Sequence, residues 1–225
     1  MGRGPKPTFL KLPAEKRERI IDLAIEEFSE RPYAQASLSR IVARAGIAKG
    51  SVYQYFDDKR ELYRWLLTEE LPRRKLAHLD AHPPPAGSDL FDTLEHMFVG
   101  GLGFLLENPR LARLGATVLE PTTEPEIREM HAEVRALRHA YLVRVVREAQ
   151  DAGSVRQNAD AELVAHLVAA LMGAGLSDAL LGRLGVTLHG LLADPSVASR
   201  MTLAEVRALA REATLVLRHG IGAPS

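Results

Sequence analysis

A chain of 225 residues, 46% of them apolar, is long enough for one extended core or for a small domain fused to a larger one. No cysteine is present, which excludes disulfides, thiolate zinc sites and a cysteine nucleophile. The formal charges cancel at 29 basic against 29 acidic, yet residues 1–75 hold 16 Lys and Arg against 11 Asp and Glu (+5), leaving 13 against 18 (−5) for the rest. Attraction to phosphate would then be local to the first third, although an imbalance of this size is also ordinary surface composition.

Residues 1–12 combine Arg3, Lys6 and Lys11 with Gly and Pro, which predicts a flexible basic arm. Two readings stand: an arm that follows phosphates or enters a minor groove, or a tail without a role. This start is polar and basic rather than apolar, so no signal peptide is expected and the cytoplasm is the expected location. Residues 13–60 then read as a DNA-binding helix-turn-helix domain. Ser37 is a good N-cap for a short helix with Leu38, Ile41, Val42 and Ala45 at three- and four-residue spacing. Gly46 stops that helix, because a left-handed residue after the last turn is least strained as glycine. Ile47 plugs the corner. A second helix of about two turns follows, with Val52 and Phe56 inward and Lys49, Ser51, Gln54 and Tyr55 outward. Asp58 and Glu61 form a capping pattern for a third helix. Its first turn holds Lys59 and Arg60, and cations there oppose the helix dipole, which suggests a nearby anion.

Residues Ser37, Ile41, Ala45, Gly46, Ile47, Gly50, Tyr53, Tyr55, Phe56, Lys59 and Leu62, preceded by ArgIleIle at 19–21, Ala24, Phe28 and Tyr33, resemble the TetR family of one-component repressors over about fifty positions. The spacing is specific, with two departures. Ala48 stands where the family commonly has a Ser or Thr cap, which would weaken the reading helix by about 0.5–2 kcal/mol. Pro32 replaces the usual Gly after the first helix, so that turn should differ in shape. The resemblance implies an all-α fold: a three-helix N-terminal head, and over residues 61–225 a larger domain of about nine helices for effector binding and dimerisation.

The third motif helix should continue to about Ala81, with Pro72 kinking it or resetting its start. Pro83 to Pro85 and Gly87 then break the chain. Ser88 is expected to cap a helix ending at Asn108 and Pro109, and a short helix should end before Pro121. Thr123 with Glu126 reads as a capping box for a long helix to Gly153. Asp160 opens an apolar helix to about Leu184. Residues 185–201 are read as a loop or irregular short helix, and Thr202 with Glu205 opens the last helix. No stretch approaches eighteen uncharged apolar residues; residues 163–176 come nearest and read as a buried helix. No strand signal and no repeat appears.

Apolar residues surround the helix from Leu163 to Leu181, and small ones, Ala169, Ala170, Gly173, Ala174 and Gly175, would let a partner approach closely. It is either the central helix of a monomer core or, as the resemblance implies, half of a homodimeric four-helix interface. On the second reading the interface holds Leu167, Ala170, Leu171 and Ala174 with Val206, Ala210, Ala213 and Leu217. Gly100, Gly101 and Gly103 interrupt an otherwise good helix, through close helix crossing or beside a cavity. In proteins of this family the effector site lies among the middle helices, which makes Met97, Gly101, Phe104, Leu105, Val118, Met130, Val134, Tyr141 and His166 candidate lining for a small apolar effector, with ordinary core as the alternative.

His78 with His82, and His131 with His139, can share helix faces but lack a third ligand, so no metal and no cofactor is expected. The Ser177–Asp178 run lacks the glycine and strand of a nucleophile elbow, and Gly101 with Gly103 lacks the third glycine of a dinucleotide fingerprint, so no enzyme is expected. The candidate contacts to double-stranded DNA are Lys49, Ser51 and Gln54 in the groove, Tyr53 and Tyr55 on sugar, phosphate or a thymine methyl, and Ser37, Ser39, Gly50 and Lys59 along the backbone. The rivals are a helical protein–protein adaptor and an enzyme that kept a helix-turn-helix.

Overall fold

The computed structural model describes residues 4–80 and 87–221, with the side chains of Lys49 and Asp80 outside that description. In chain order the elements are α1 (Pro7–Leu10), α2 (Ala14–Glu30), a 3-10 turn (Tyr33–Gln35), α3 (Leu38–Arg44), a 3-10 helix (Lys49–Gln54) and α4 (Lys59–Trp65). A π-turn (Leu66–Glu70) leads into α5 (Leu71–Asp80), followed by α6 (Leu90–Glu107), α7 (Pro109–Ala116), a 3-10 turn (Thr117–Leu119) and α8 (Pro125–Asp151). The chain continues with α9 (Ala161–Ala170), a second π-turn (Leu171–Gly175), α10 (Leu176–Leu184), α11 (Leu188–Ala193), a 3-10 turn (Pro195–Arg200) and α12 (Leu203–Ile221). There is no strand among the described residues.

Local chemistry explains most boundaries. Pro72 has no N–H to give the carbonyl four residues back, and just before it the helix widens so that Leu71 N–H reaches Leu66 O. Asp160 caps α9 by accepting from the amides of Glu162 and Leu163, and Gly185, at φ 70°, ends α10 in the left-handed region. Thr202 and Glu205 form the expected reciprocal cap at the start of α12. Two expectations are corrected. Asp89, not Ser88, caps α6, in a box with Asp92. Glu126 turns away from Thr123 to pair with Arg60 at 2.7 Å, and α8 starts at Pro125, whose fixed φ suits a first helical position.

The chain divides into two compact units, each built from two separate stretches. One holds residues 4–74 and 110–134; the other holds 75–109 and 135–221. In the second, α12 packs along α6, burying Val206, Leu209, Ala210, Thr214 and Leu217 on one side and Leu94, Phe98, Leu102 and Leu105 on the other. A Cβ on Gly100 would collide with Leu79 Cδ2 and one on Gly103 would meet His78 Nε2 at 3.4 Å, while Gly101 has open space around it, so close helix approach accounts for Gly100 and Gly103 but not for Gly101. The stretch Ala161–Leu184 is long and apolar enough to cross a membrane by length and composition, and only 28% of its most apolar window is buried. That corrects the expectation of a buried helix and leaves an apolar face uncovered.

Candidate nucleic-acid interface

The first unit braces a helix-turn-helix from beneath with one buried carboxylate. Glu27 falls on the same α2 face as Ile20, Ala24 and Phe28, and it is 1% exposed. Its oxygens accept the Ser37 N–H at 2.8 Å, the Arg40 guanidinium at 2.6 and 3.0 Å, and Arg31 at 3.2 Å. Burial pushes the Glu27 carboxyl up, but the hydrogen bonds from Arg40 and Ser37 and the charges of Arg40 and Arg31 outweigh it and hold it below its ordinary 4.5. One side chain thus fixes the start of α3 to the end of α2.

Lys59 supplies a second brace and corrects the expectation of a phosphate contact. Its ammonium donates to the carbonyls of Tyr33 at 2.7 Å and Ala36 at 3.0 Å and lies 4.2 Å from the centre of the Tyr33 ring. Burial pushes this ammonium down from its usual value. The turn that follows Pro32 is therefore tied to the first turn of α4 from inside. Asp58 caps that helix by accepting from Glu61 N–H, as its spacing predicted.

The N-terminal segment is the third brace, and it is not a free arm from Lys6 onward. Pro7 starts the single turn of α1, which drops Phe9 into a fully closed site, 0% exposed, against Tyr55, Phe56 and Trp65 at ring distances of 5.7, 5.0 and 5.9 Å. Lys6 N–H donates to Tyr55 O at 2.8 Å, Lys6 Nζ to Tyr53 O at 2.8 Å, and Thr8 Oγ1 to Gln54 O. Those carbonyls close the reading helix and have no partners further along it, so the strap satisfies them. Arg3 lies outside the described residues.

Between these braces sits the reading helix, Lys49–Gln54, which is 3-10 rather than the expected two α-turns. Ala48 offers no side-chain cap and Gly50 favours no helix, so six residues settle into the tighter form. Residues three apart align in that form: Ser51 with Gln54, and Gly50 with Tyr53. Tyr53 (53% exposed), Gln54, Gly50 and Ser39 face solvent, while Ser37 and Ser51 are half-buried. Tyr55 is only 7% exposed and packs on Phe9, which removes it from the contact surface. The Lys49 side chain falls outside the described residues.

The other expected sites do not assemble as expected. A cleft of about 180 Å³ lies in the first unit, and none of the nine candidate effector residues lines it. Val118 and Met130 are closed core of the first unit, and Phe104 and Leu105 of the second; Met97, Gly101 and Val134 are half-buried, and Tyr141 and His166 face solvent. Of the interface candidates, Leu167, Ala170 and Ala174 are exposed, and Leu171 and Ala213 half-buried. Val206, Ala210 and Leu217 are corrected: they are closed inside the chain's own core, because α12 has one strong apolar stripe and α6 takes it. The large apolar residues that α12 leaves outside are Leu203, Leu215 and Val216. His131 bonds Tyr63 and His139 bonds Glu162, while His82 is outside the described residues. No group of three or more metal-capable residues occurs among the described residues.

Comparison with known proteins agrees with this head. The profile of the bacterial regulatory proteins, tetR family, matches residues 20–65. The HTH-type transcriptional repressor BepR of Brucella suis is 28% identical over 79% of this chain and 87% of its own length. A probable acrEF/envCD operon repressor of Escherichia coli is 26% identical over 68% of this chain and 70% of its own. A TetR family transcriptional regulator from Chloroflexus aurantiacus superposes with a TM-score of 0.74 at 31% identity, covering 98% of this chain and all of that one. With that identity across essentially the whole length, and a head built to the same motif, the chain belongs to the TetR family of DNA-binding transcriptional regulators.

Proposed function

We propose that this protein is a repressor that binds a palindromic operator as a homodimer and is released from it by a small, mostly apolar effector. The observation that carries the reading is the solvent-facing set Ser39, Gly50, Tyr53 and Gln54 on a head whose Glu27, Lys59 and Lys6 are committed to internal braces. Donors on a rigid short helix are what base edges and phosphates require. A single head of this size reads too few base pairs for specificity, and a two-fold dimer doubles the contact and makes the site palindromic. The uncovered residues of the second unit, Leu163 and Leu167 on α9 with Leu203, Leu215 and Val216 on α12, supply apolar surface for a second copy. Release then follows if the effector prefers the form that binds operator poorly, since a ligand with equal affinity for both forms shifts nothing.

Selection of bound sequences from random duplex DNA tests the first part, with enrichment of an inverted repeat as the expected outcome. Against that repeat, Gln54→Ala and Lys49→Ala should each weaken binding by about 1–3 kcal/mol and relax one operator position if they read bases. Uniform loss across sequences would reassign them to phosphate. A screen for compounds that release the best sequence tests the second part. Recovery of unenriched DNA would refute the regulator reading.

A further inference from the structure

The cleft of about 180 Å³ in the first unit is bounded on one side by the head and on the other by the segment from the end of α7 to the start of α8. Its apolar walls include Phe28 and Tyr33, whose rings stack at 6.2 Å and 9°, and Ile127. Its polar end is Tyr63, which sits 2.7 Å from Thr117 Oγ1 and 2.9 Å from His131 Nε2. Thr117 donates its own proton to Leu114 O at 2.6 Å, so it must accept from Tyr63. The Tyr63 oxygen in turn accepts from His131 Nε2–H, which leaves one lone pair for a further donor. Burial pushes both Tyr33 and Tyr63 up to about 12, so neither becomes an anion at working pH.

These walls define a ligand. A cavity of roughly 150 Å³ accommodates benzene, so by volume this cleft matches a single six-membered ring with a small substituent. The ring would lie against Tyr33 and Phe28, and a hydroxyl would donate to Tyr63. A carboxylate is disfavoured, since Arg113 is committed to Glu120 and Arg31 to Glu27 and Glu30. The position matters as much as the chemistry. Tyr33 opens the 3-10 turn that Lys59 ties down, and that turn delivers Ser37 to Glu27 at the start of α3. A ring wedged beside Tyr33 therefore presses on the brace that orients the reading helix.

We propose that this cleft is a binding site for small neutral monocyclic phenols, and that filling it weakens operator binding by displacing the Tyr33 turn. The inference rests on the effector-released repressor reading above and places an effector site within the unit that carries the head.

The test uses 4-fluorophenol as the probe, with the full-length protein and the operator recovered by selection. Binding is followed by 19F line broadening and calorimetry, and release by the fluorescence anisotropy of labelled operator. Fluorobenzene, lacking the donor, should bind about tenfold more weakly, the equivalent of one hydrogen bond. Tyr63→Phe should abolish that difference between the two probes. Thr123→Phe, at an exposed rim position on the side away from the Tyr33 turn, should remove binding of both while leaving operator affinity without ligand unchanged. Equal binding of the two probes by the wild type, or full binding by Thr123→Phe, overturns the site. Binding in the cleft without loss of operator affinity overturns its effector role. Failure of 4-fluorophenol to bind, alongside operator release by other compounds in the screen, refutes the cleft and leaves the repressor reading intact; failure to recover any operator refutes that reading instead.

Discussion

Phe9→Ala separates a structural strap from a DNA-contacting arm. Phe9 is fully buried among Tyr55, Phe56 and Trp65. Truncation removes the transfer term and leaves a cavity, together about 3–5 kcal/mol, of which the ring–ring contacts are a part. A domain with about 5–15 kcal/mol of stability remains mostly folded, but the strap loses the residue that holds it down. The three hydrogen bonds that Lys6 and Thr8 make to the Tyr53, Gln54 and Tyr55 carbonyls are then released as well. At about 1 kcal/mol net each, about 3 kcal/mol together, their loss should weaken operator binding by up to roughly 150-fold. The charges of Lys6 and Lys11 are untouched, and Lys6 already pairs with Asp57 at 2.5 Å, so the dependence of log K on log salt should keep its slope. Urea denaturation gives the stability change, and anisotropy titrations at several salt concentrations give the slope. Lys6→Gln extends the measurement, because a lost phosphate contact lowers the slope by about 0.9. A Phe9→Ala protein within about 1 kcal/mol of wild type, or a Lys6→Gln slope lowered by a full contact, would refute the strap.

Three further perturbations probe the other braces and the uncovered face. Glu27 and Glu70 are both raised by burial but brought below 4.5 overall by hydrogen bonds and charges, from Arg40, Ser37 and Arg31 in one case and from Arg73 and Arg74 in the other. Their contribution is complete above the unfolded value of 4.5 and is lost as pH falls through the depressed folded values. Melting temperature should therefore fall steeply below about pH 4.5, and Glu27→Gln, itself about 1.5–3 kcal/mol less stable, should flatten that fall. Lys59→Met should lower stability by about 1–3 kcal/mol without changing the salt slope of operator binding, whereas a phosphate contact would lower it by about 0.9. Leu167→Glu places an unpaired charge on a residue 49% exposed in the single chain, so folding should hold while dimerisation weakens about 100-fold or more in sedimentation. An unaltered dimer would move the interface off α9.

Much of the head could be read from the sequence because its signals are local. The stop at Gly46, the cap at Asp58 and the spacing of Ile41, Val52 and Phe56 each need only a few neighbouring residues. What the sequence hid depends on contacts between distant segments. Lys59 looks like a phosphate ligand until the Tyr33 and Ala36 carbonyls, more than twenty residues away, are placed around its ammonium. Phe9 looks like part of a loose tail because its partners begin at Tyr55. Glu27 alone carried a missed local signal, a carboxylate on the α2 stripe of Ile20, Ala24 and Phe28. On α12 the periodicity marked a buried stripe correctly but could not say whether α6 or a second chain covers it.

The three braces explain how a short reading helix without a side-chain cap can serve as a recognition element. Six residues of 3-10 helix have too few internal hydrogen bonds to hold a fixed orientation, and propensity offers little at Gly50. Orientation must come from outside the helix. Glu27 fixes the helix that precedes it, Lys6 and Thr8 engage the carbonyls at its end, and Lys59 ties the start of α4 back to the Tyr33 turn. Each brace is a polar contact of one or a few hydrogen bonds, and together they hold the helix that carries the exposed Tyr53 and Gln54. A displacement of the Tyr33 turn acts on two of the three braces at once, since Lys59 holds that turn and Glu27 accepts from Ser37 immediately after it.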